Sequence, residues 1–497
     1  MADAVYKGEL AVTGIAGLDN VLHGGLTPER LYLLQGSPGA GKTTLALQFL
    51  LTGIQQGESG LYIALSETDE ELRGVAASHG WSLDDDRLKV SQLNVSEENL
   101  GVDVQYTMFH PSEVELSKTT QTVLSEVERL KPKRVVFDSL AEIRMLAQDP
   151  LRYRRQVLAL KHFFAKHKCT ALLLDDSVSG NEQHNLHSAV HGVICLEHLS
   201  PDYGVDQRRL RIVKMRGRTY RPGYHDFNIE PGGLAVFPRL VAAEHENTYP
   251  EGMVTSGVEV LDEMLGGGLE RGTGTMLIGP TGAGKSTISA HFAAAAAERG
   301  DKTVIFTFDE RRGTYLNRAE GIGLSLEPLL ESGTLTIQQV DPATLSPGSF
   351  ESMMRKMVEE GVRVIVIDSL NGYLHAMPDE ASLLIQFHEL FTFLGRRGVT
   401  TLLVVTQPGL VGNDVTTPVN ASYLVDSVIM LRYFERSGQV RKAINVLKKR
   451  NGPHQRDIRE LHLGESGEKL RIGEPLSELE GVLRGTPVLA DSGQPGN

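Results

Sequence analysis

The sequence predicts two α/β domains in tandem, each a mostly parallel β-sheet with helices on both faces. Three observations carry this. At 497 residues the chain is longer than one hydrophobic core serves, which points to two large domains. The stretch TGIAGLDNVLHGGL, from Thr13, returns from Thr255 as TSGVEVLDEMLGGGL. Asp19 and Asp262 stand 243 residues apart, as do Lys42 and Lys285, and a constant spacing over that length marks duplication. Finally, short runs that are apolar throughout alternate with amphipathic stretches, the pattern of parallel strands covered on both sides.

The elements follow in the same order in each half. In the first, LYLLQ (31–35), LYIAL (61–65), RVVFDSL (134–140) and CTALLLDD (169–176) read as strands. SKTTQTVLSEVERL (117–130) and RQVLALKHFFAKH (155–167) between them read as helices. The second half answers with strands TMLI (275–278), TVIFTF (303–308), RVIVIDSL (363–370) and TTLLVV (400–405). Its helices are FESMMRKMVEEG (350–361) and LLIQFHELFTFLG (383–395). The polar, proline-bearing AAEHENTYPEG (242–252) is the linker, giving domains 1–243 and 244–475. Residues 476–497, ending in a Gly, Pro and Asp-rich segment, are expected to form a flexible tail.

Composition narrows the function classes. Forty per cent hydrophobic and 23% charged residues are ordinary for a globular protein. A net charge of −13 argues against unspecific attraction to nucleic acid or anionic membrane. The clusters RYRR (Arg152 to Arg155) and QRRLR (Arg208 to Arg211) are the best local exceptions. Two cysteines, Cys169 and Cys195, make a disulfide framework improbable, and the N-terminus has no secretory pattern. The apolar runs fall short of the ~20 residues that span a bilayer. A cytoplasmic location is expected.

The chemistry lies in two glycine-rich loops. The first comprises Gly36, Ser37, Pro38, Gly39, Ala40, Gly41, Lys42 and Thr43, followed by Thr44. The second comprises Gly279, Pro280, Thr281, Gly282, Ala283, Gly284, Lys285 and Ser286, followed by Thr287. In G-x-x-x-x-G-K-[ST], glycines let backbone N–H groups turn inward around phosphate oxygens, and the following helix adds its N-terminal dipole. Each match follows a strand and opens a helix, a context that a mere glycine-rich turn lacks. The ligand expected is ATP, with Lys42 and Lys285 at the β/γ-phosphates and Thr43 and Ser286 on Mg²⁺.

Asp138 and Asp368, each ending a buried strand, fit the acid that holds the Mg²⁺ shell; a helix cap is the alternative. Hydrolysis also needs a group that orients or deprotonates water. Glu67 in LSETDEE and Glu310 in FDERRG occupy matching positions, preceded by Ser66 and Asp309, with a solvated loop acid as the alternative. Late in each lobe comes a K-x-R pair, Lys214 with Arg216 and Lys448 with Arg450. These either cap a solvated strand end or serve a phosphate bound by the next subunit.

Together, TG-hydrophobic-x-x-LD, GGL, the phosphate loop, the acid-bearing strands and K-x-R resemble the lobes of the KaiC family in the RecA superfamily, from about Thr13 to Pro487. The resemblance implies two tandem RecA-like P-loop NTPase domains in a homohexamer of stacked rings, with ATP at subunit interfaces. It implies a slow N-terminal ATPase, a C-terminal serine/threonine autokinase and autophosphatase, a signalling or circadian-type timing role, and KaiB-like or other signalling partners. The family's paired catalytic glutamates fall on Ser66-Glu67 and Asp309-Glu310, so Glu67, Asp309 and Glu310 are the catalytic candidates. Its adjacent phosphoacceptors fall on Ser422 and Tyr423, the second departing from the family's threonine. A DNA-dependent motor and a nucleotide-gated scaffold are the other readings.

Overall fold

The structure, a computed structural model, describes residues 8–92, 111–147, 149–176, 186–200, 206–244, 249, 251–341, 344–375, 380–407, 423–464, 470–484 and 488–489. The chain divides into two compact units, residues 1–239 and 240–497.

The first unit is built on β1 (Leu31–Gly36), β2 (Gly60–Ala64), β3 (Leu88–Gln92), β4 (Arg134–Asp138) and β5 (Thr170–Asp176). It continues through β6 (Gly192–Leu199), β7 (Gln207–Met215), β8 (His225–Glu230) and β9 (Gly233–Phe237). They form one nine-stranded sheet in the order β3-β2-β4-β5-β1-β6-β7-β8-β9. Pairing is parallel from β3 to β6 and antiparallel from β6 to β9. Each apolar strand serves two cores. Tyr32 and Leu34 face one cluster with Phe49 and Leu50 of the helix Lys42–Gln55, while Leu31 and Leu33 face another with Val157 and Phe164. Burial on both faces is why these strands carry no polar alternation.

A short ribbon of β10 (Met253–Val254) and β11 (Leu269–Glu270) opens the second unit. Its sheet contains β12 (Gly274–Gly279), β13 (Thr303–Thr307), β14 (Leu335–Gln339), β15 (Val364–Asp368), β16 (Thr400–Thr406), β17 (Ser427–Arg436), β18 (Gln439–Lys449), β19 (Arg459–His462) and β20 (Arg471–Pro475). The order β14-β13-β15-β16-β12-β17-β18-β19-β20 reproduces the first sheet strand for strand. Two tandem RecA-like α/β domains are thus the architecture.

The repeated TG-x-x-x-LD segment is structural. Asp19 Oδ1 accepts from the backbone N–H (2.8 Å) and hydroxyl (2.9 Å) of Thr13, and Asp262 Oδ1 accepts from Ser256 in the same way (2.7 and 2.9 Å). The glycines that follow are forced by close backbone approach. A Cβ on Gly25 would lie 2.7 Å from the Ala11 carbonyl, and one on Gly268 would lie 2.8 Å from that of Val254.

Three features exceed what the sequence pattern announces. The edge strands β3 and β14 are only partly buried, so their apolar signal is weak. The antiparallel extensions β7–β9 and β18–β20 are read from no motif. Leu240 and Ala242 pack into the second unit's core, and Val482 is buried against Phe434 and Ala443, so residues on either side of the expected boundaries belong to folded structure.

Candidate nucleotide sites

Both phosphate loops join the C-terminal end of the central strand to a helix. Gly41 and Gly284, at φ 93° and 107°, cap the helices Lys42–Gln55 and Lys285–Glu298 in the left-handed region that favours glycine. Lys42 Nζ donates to the carbonyls of Gly36 (2.7 Å) and Ser37 (3.1 Å), and Lys285 Nζ to those of Gly279 (2.9 Å) and Pro280 (2.7 Å). These lysines close the loops on themselves until phosphate oxygens replace the carbonyls. Burial pulls the Lys285 ammonium down to about 8, against the opposing charge of Asp368. A phosphate beside Lys285 would remove that unfavourable isolation.

The strand-end acids stand beside the loops. In the first repeat Asp138 Oδ2 accepts from the phenol of Tyr62, which donates from the neighbouring strand. In the second, Ile305 holds the matching place, and Asp368 Oδ2 is buried with no partner among the described residues. Burial raises both carboxyls; the Tyr62 bond opposes the rise at Asp138, and a hydrogen bond from Ser286 opposes it at Asp368.

The two repeats diverge at the next acid. Glu67 Oε1 accepts from Thr43 Oγ1 (3.4 Å), while its Oε2 is buried without a partner among the described residues. Burial, then the nearby Asp138 charge, push this carboxyl up to about 7. Glu310 is instead gripped by Arg318, which donates from Nε to Oε1 (3.2 Å) and from Nη2 to Oε2 (2.8 Å). Asp309 accepts from Ser369 Oγ at Oδ2 (2.7 Å). Asp309, Glu310, Lys285, Ser286 and Asp368 line one cleft of about 510 Å³.

A family profile described as "ATPase: KaiC" matches residues 11–241 and 254–475. The chain belongs to the KaiC family of ATPases. Its relatives include the circadian clock protein KaiC3 of Synechocystis sp., 28% identical over 96% of this chain and 94% of that one. The circadian clock oscillator proteins KaiC of Acaryochloris marina and Parathermosynechococcus lividus are 27% and 28% identical over 96% of this chain, and over 91% and 87% of theirs.

Within this KaiC-family chain, the residues present fit Mg²⁺ as an ATP companion. Thr43 with Asp138 and Ser286 with Asp368 each offer one hydroxyl and one strand-end carboxylate beside the loop lysine, and the unpartnered Asp368 Oδ2 is an acceptor awaiting a ligand. Among the described residues no group of three or more His, Cys, Asp or Glu forms a cluster able to hold a metal by itself. Mg²⁺ on nucleotide takes most of its ligands from phosphate and water, so none is required.

The K-x-R pairs are not brought to their own phosphate loops. Lys214 is level with Val193 and hence with Leu33, and the Arg216 N–H reaches the His191 carbonyl, level with Leu31. Both therefore lie toward the end of β1 opposite the loop. Lys448 and Arg450 repeat this placement, donating to the carbonyls of Val425 (2.8 Å) and Tyr423 (3.3 Å). Tyr423 sits exposed at the same end, and Ser422 lies outside the described residues.

Among the basic clusters, Arg209 donates to Glu197 (2.8 Å) and lies 4.0 Å from the Tyr224 ring centroid, and Arg211 is 3.8 Å from the same glutamate. Intramolecular partners thus absorb much of the charge that a nucleic acid would need at residues 208–211. Among the described residues no helix is long and apolar enough to cross a membrane.

Two functional candidates escape sequence reasoning. One is Arg318, which carries no motif signal. The other is Asp176, whose Oδ1 accepts from Lys42 Nζ (3.0 Å) and whose place in the second repeat is taken by Thr406. The DD ending CTALLLDD, against the T ending TTLLVVT, was the available clue. Incoming phosphate must displace Asp176 and then sit beside its charge. Asp176→Thr should tighten ATP binding at the first repeat by about two- to fivefold, the range expected of a half-exposed ion pair. Titration of a fluorescent ATP analogue in a Lys285→Ala background measures this, and weaker binding would contradict it.

Proposed function

We propose that this chain is a KaiC-like hexameric ATPase that acts in signalling or circadian-type timing, hydrolysing ATP at the first repeat and phosphorylating its own kind at the second. The observation that carries the reading is the unequal surrounding of two equal loops. The first repeat sets a half-buried carboxyl at Glu67, bonded through one oxygen to Thr43, with an affinity for protons near neutrality, the property of a base that works on water. The second turns Asp309 into the cleft and holds Glu310 in an ion pair.

In the second repeat an acceptor hydroxyl oxygen forms a bond to the γ-phosphorus as the bond to the β–γ bridging oxygen breaks. ADP leaves with that oxygen, and the hydroxyl proton passes to Asp309. Lys285 and the loop N–H groups hold the phosphates. Mg²⁺, when bound, spreads the charge that gathers on the leaving phosphate. Phosphatase action is the same cleft working on phosphoserine. The placement of Tyr423, Lys448 and Arg450 at the sheet end away from their own loop supports transfer between neighbouring copies, with ATP at subunit interfaces and the basic pair serving the neighbour's phosphates. KaiB-like proteins are the partners such a ring would engage.

The test is incubation with γ-labelled ATP followed by peptide mapping. Label should fall on Ser422 and vanish in both Ser422→Ala and Lys285→Ala. Label that survives Lys285→Ala places the kinase elsewhere, and label on Tyr423 alone moves the acceptor by one residue.

A further inference from the structure

We propose that Arg318 is a positioning residue that withholds Glu310 from proton transfer and so leaves Asp309 as the proton acceptor of the second cleft. The inference rests on the reading that this cleft consumes ATP. Arg318 lies two turns into the helix Arg312–Gly321, on the same face as Tyr315, and its guanidinium lies 4.6 Å from the buried Tyr315 ring centroid. From there it meets both carboxylate oxygens of Glu310, with side-chain exposures of only 29% and 27% for the pair. Fork-to-fork pairing fixes the carboxylate plane as well as its charge. To take a proton, Glu310 would surrender one of these bonds and leave a largely buried guanidinium short of its counter-charge.

Asp309 is under no such restraint. Its Oδ2 accepts from Ser369, and its Oδ1 occupies space that exists because Gly372 has no side chain, a Cβ there lying 2.8 Å away. The first repeat shows what the clamp changes. There Val75 and Leu72 stand where Arg318 and Tyr315 stand in the second, both packed on the core, and Glu67 keeps an oxygen without a partner among the described residues. A single arginine therefore separates a lobe whose glutamate keeps one oxygen open from one whose glutamate is held at both.

The experiment uses the full chain carrying Glu67→Gln, so that γ-phosphate consumption, released plus transferred to protein, reports the second repeat. Asp309→Asn should cost about tenfold or more while Arg318 is present, as loss of a positioned base does. Adding Arg318→Gln should shrink that cost to about threefold or less, because the released Glu310 substitutes, and should raise the cost of Glu310→Gln by about fivefold or more. Arg318→Lys, which offers a point charge in place of a fork, should fall between. ADP affinity and melting temperature, measured for each variant, separate this exchange of roles from loss of structure. Costs for the two acids that are the same with and without Arg318 overturn the inference and leave the functional reading standing. Absence of any γ-phosphate consumption in the Glu67→Gln chain overturns the functional reading itself, and the inference falls with it.

Discussion

Glu67→Gln is expected to lower ATP hydrolysis at the first repeat by about 10²–10⁴-fold, the range for removing a positioned general base. Glutamine keeps the shape of the side chain and can still contact Thr43, but it cannot receive a proton from water. The pH dependence follows from burial and the Asp138 charge, which together hold the Glu67 carboxyl up to about 7. A base works deprotonated, and this one loses its proton as pH rises. Hence kcat/KM should climb by about tenfold per unit below pH ~7 and flatten above it. The limb should disappear in Glu67→Gln, while labelling of the second repeat continues. Steady-state phosphate release, measured from pH 5.5 to 8.5 with ATP affinity checked in parallel, tests both points. A variant within about threefold of the parent removes Glu67 from the role of base.

Arg134→Val should destabilise the first repeat by about 3–5 kcal/mol, the cost of breaking a buried charge network by deleting one partner. Arg134 begins β4 and is 1% exposed. Its Nη1 donates to the carbonyls of Val12 (2.7 Å) and Phe49 (2.8 Å), its Nη2 to Gln56 Oε1 (2.9 Å), and its Nε pairs with Glu58. Room for it exists because residue 53 is glycine; a Cβ there would lie 2.5 Å from the arginine's Cδ. The second repeat solves the same packing differently, with Val364 and Ala296 at the matching positions, both fully buried. Gly53→Ala should therefore destabilise in the parent and stabilise in the Arg134→Val background, a change of sign that a double-mutant cycle detects. The one tryptophan, Trp81, packs against the first core, so urea unfolding followed by its fluorescence reports this repeat. Equal effects of Gly53→Ala in both backgrounds would show that the two positions are not coupled.

By itself, the sequence determined the duplication, the parallel sheets and both phosphate loops. Each of these depends on interactions that leave a local trace. Strands covered on both faces must be apolar along their length, as in VIVID, and a loop that wraps phosphate must carry glycines at set spacings before a lysine. The tertiary structure alone decided how each acid is employed. Asp176 on Lys42, Arg318 on Glu310 and Tyr62 on Asp138 join residues 134, 8 and 76 positions apart, and side-chain charge at such distances has no period to read. It also placed the K-x-R pairs at the sheet end away from their own loops, because β7 and β18 run antiparallel to the strands beside them, and Tyr423 at that same end, because it precedes β17, which runs parallel to β12. Local backbone requirements write the nucleotide loops into the chain, while the electrostatics that distinguish one loop from the other arise only once distant side chains share a buried wall.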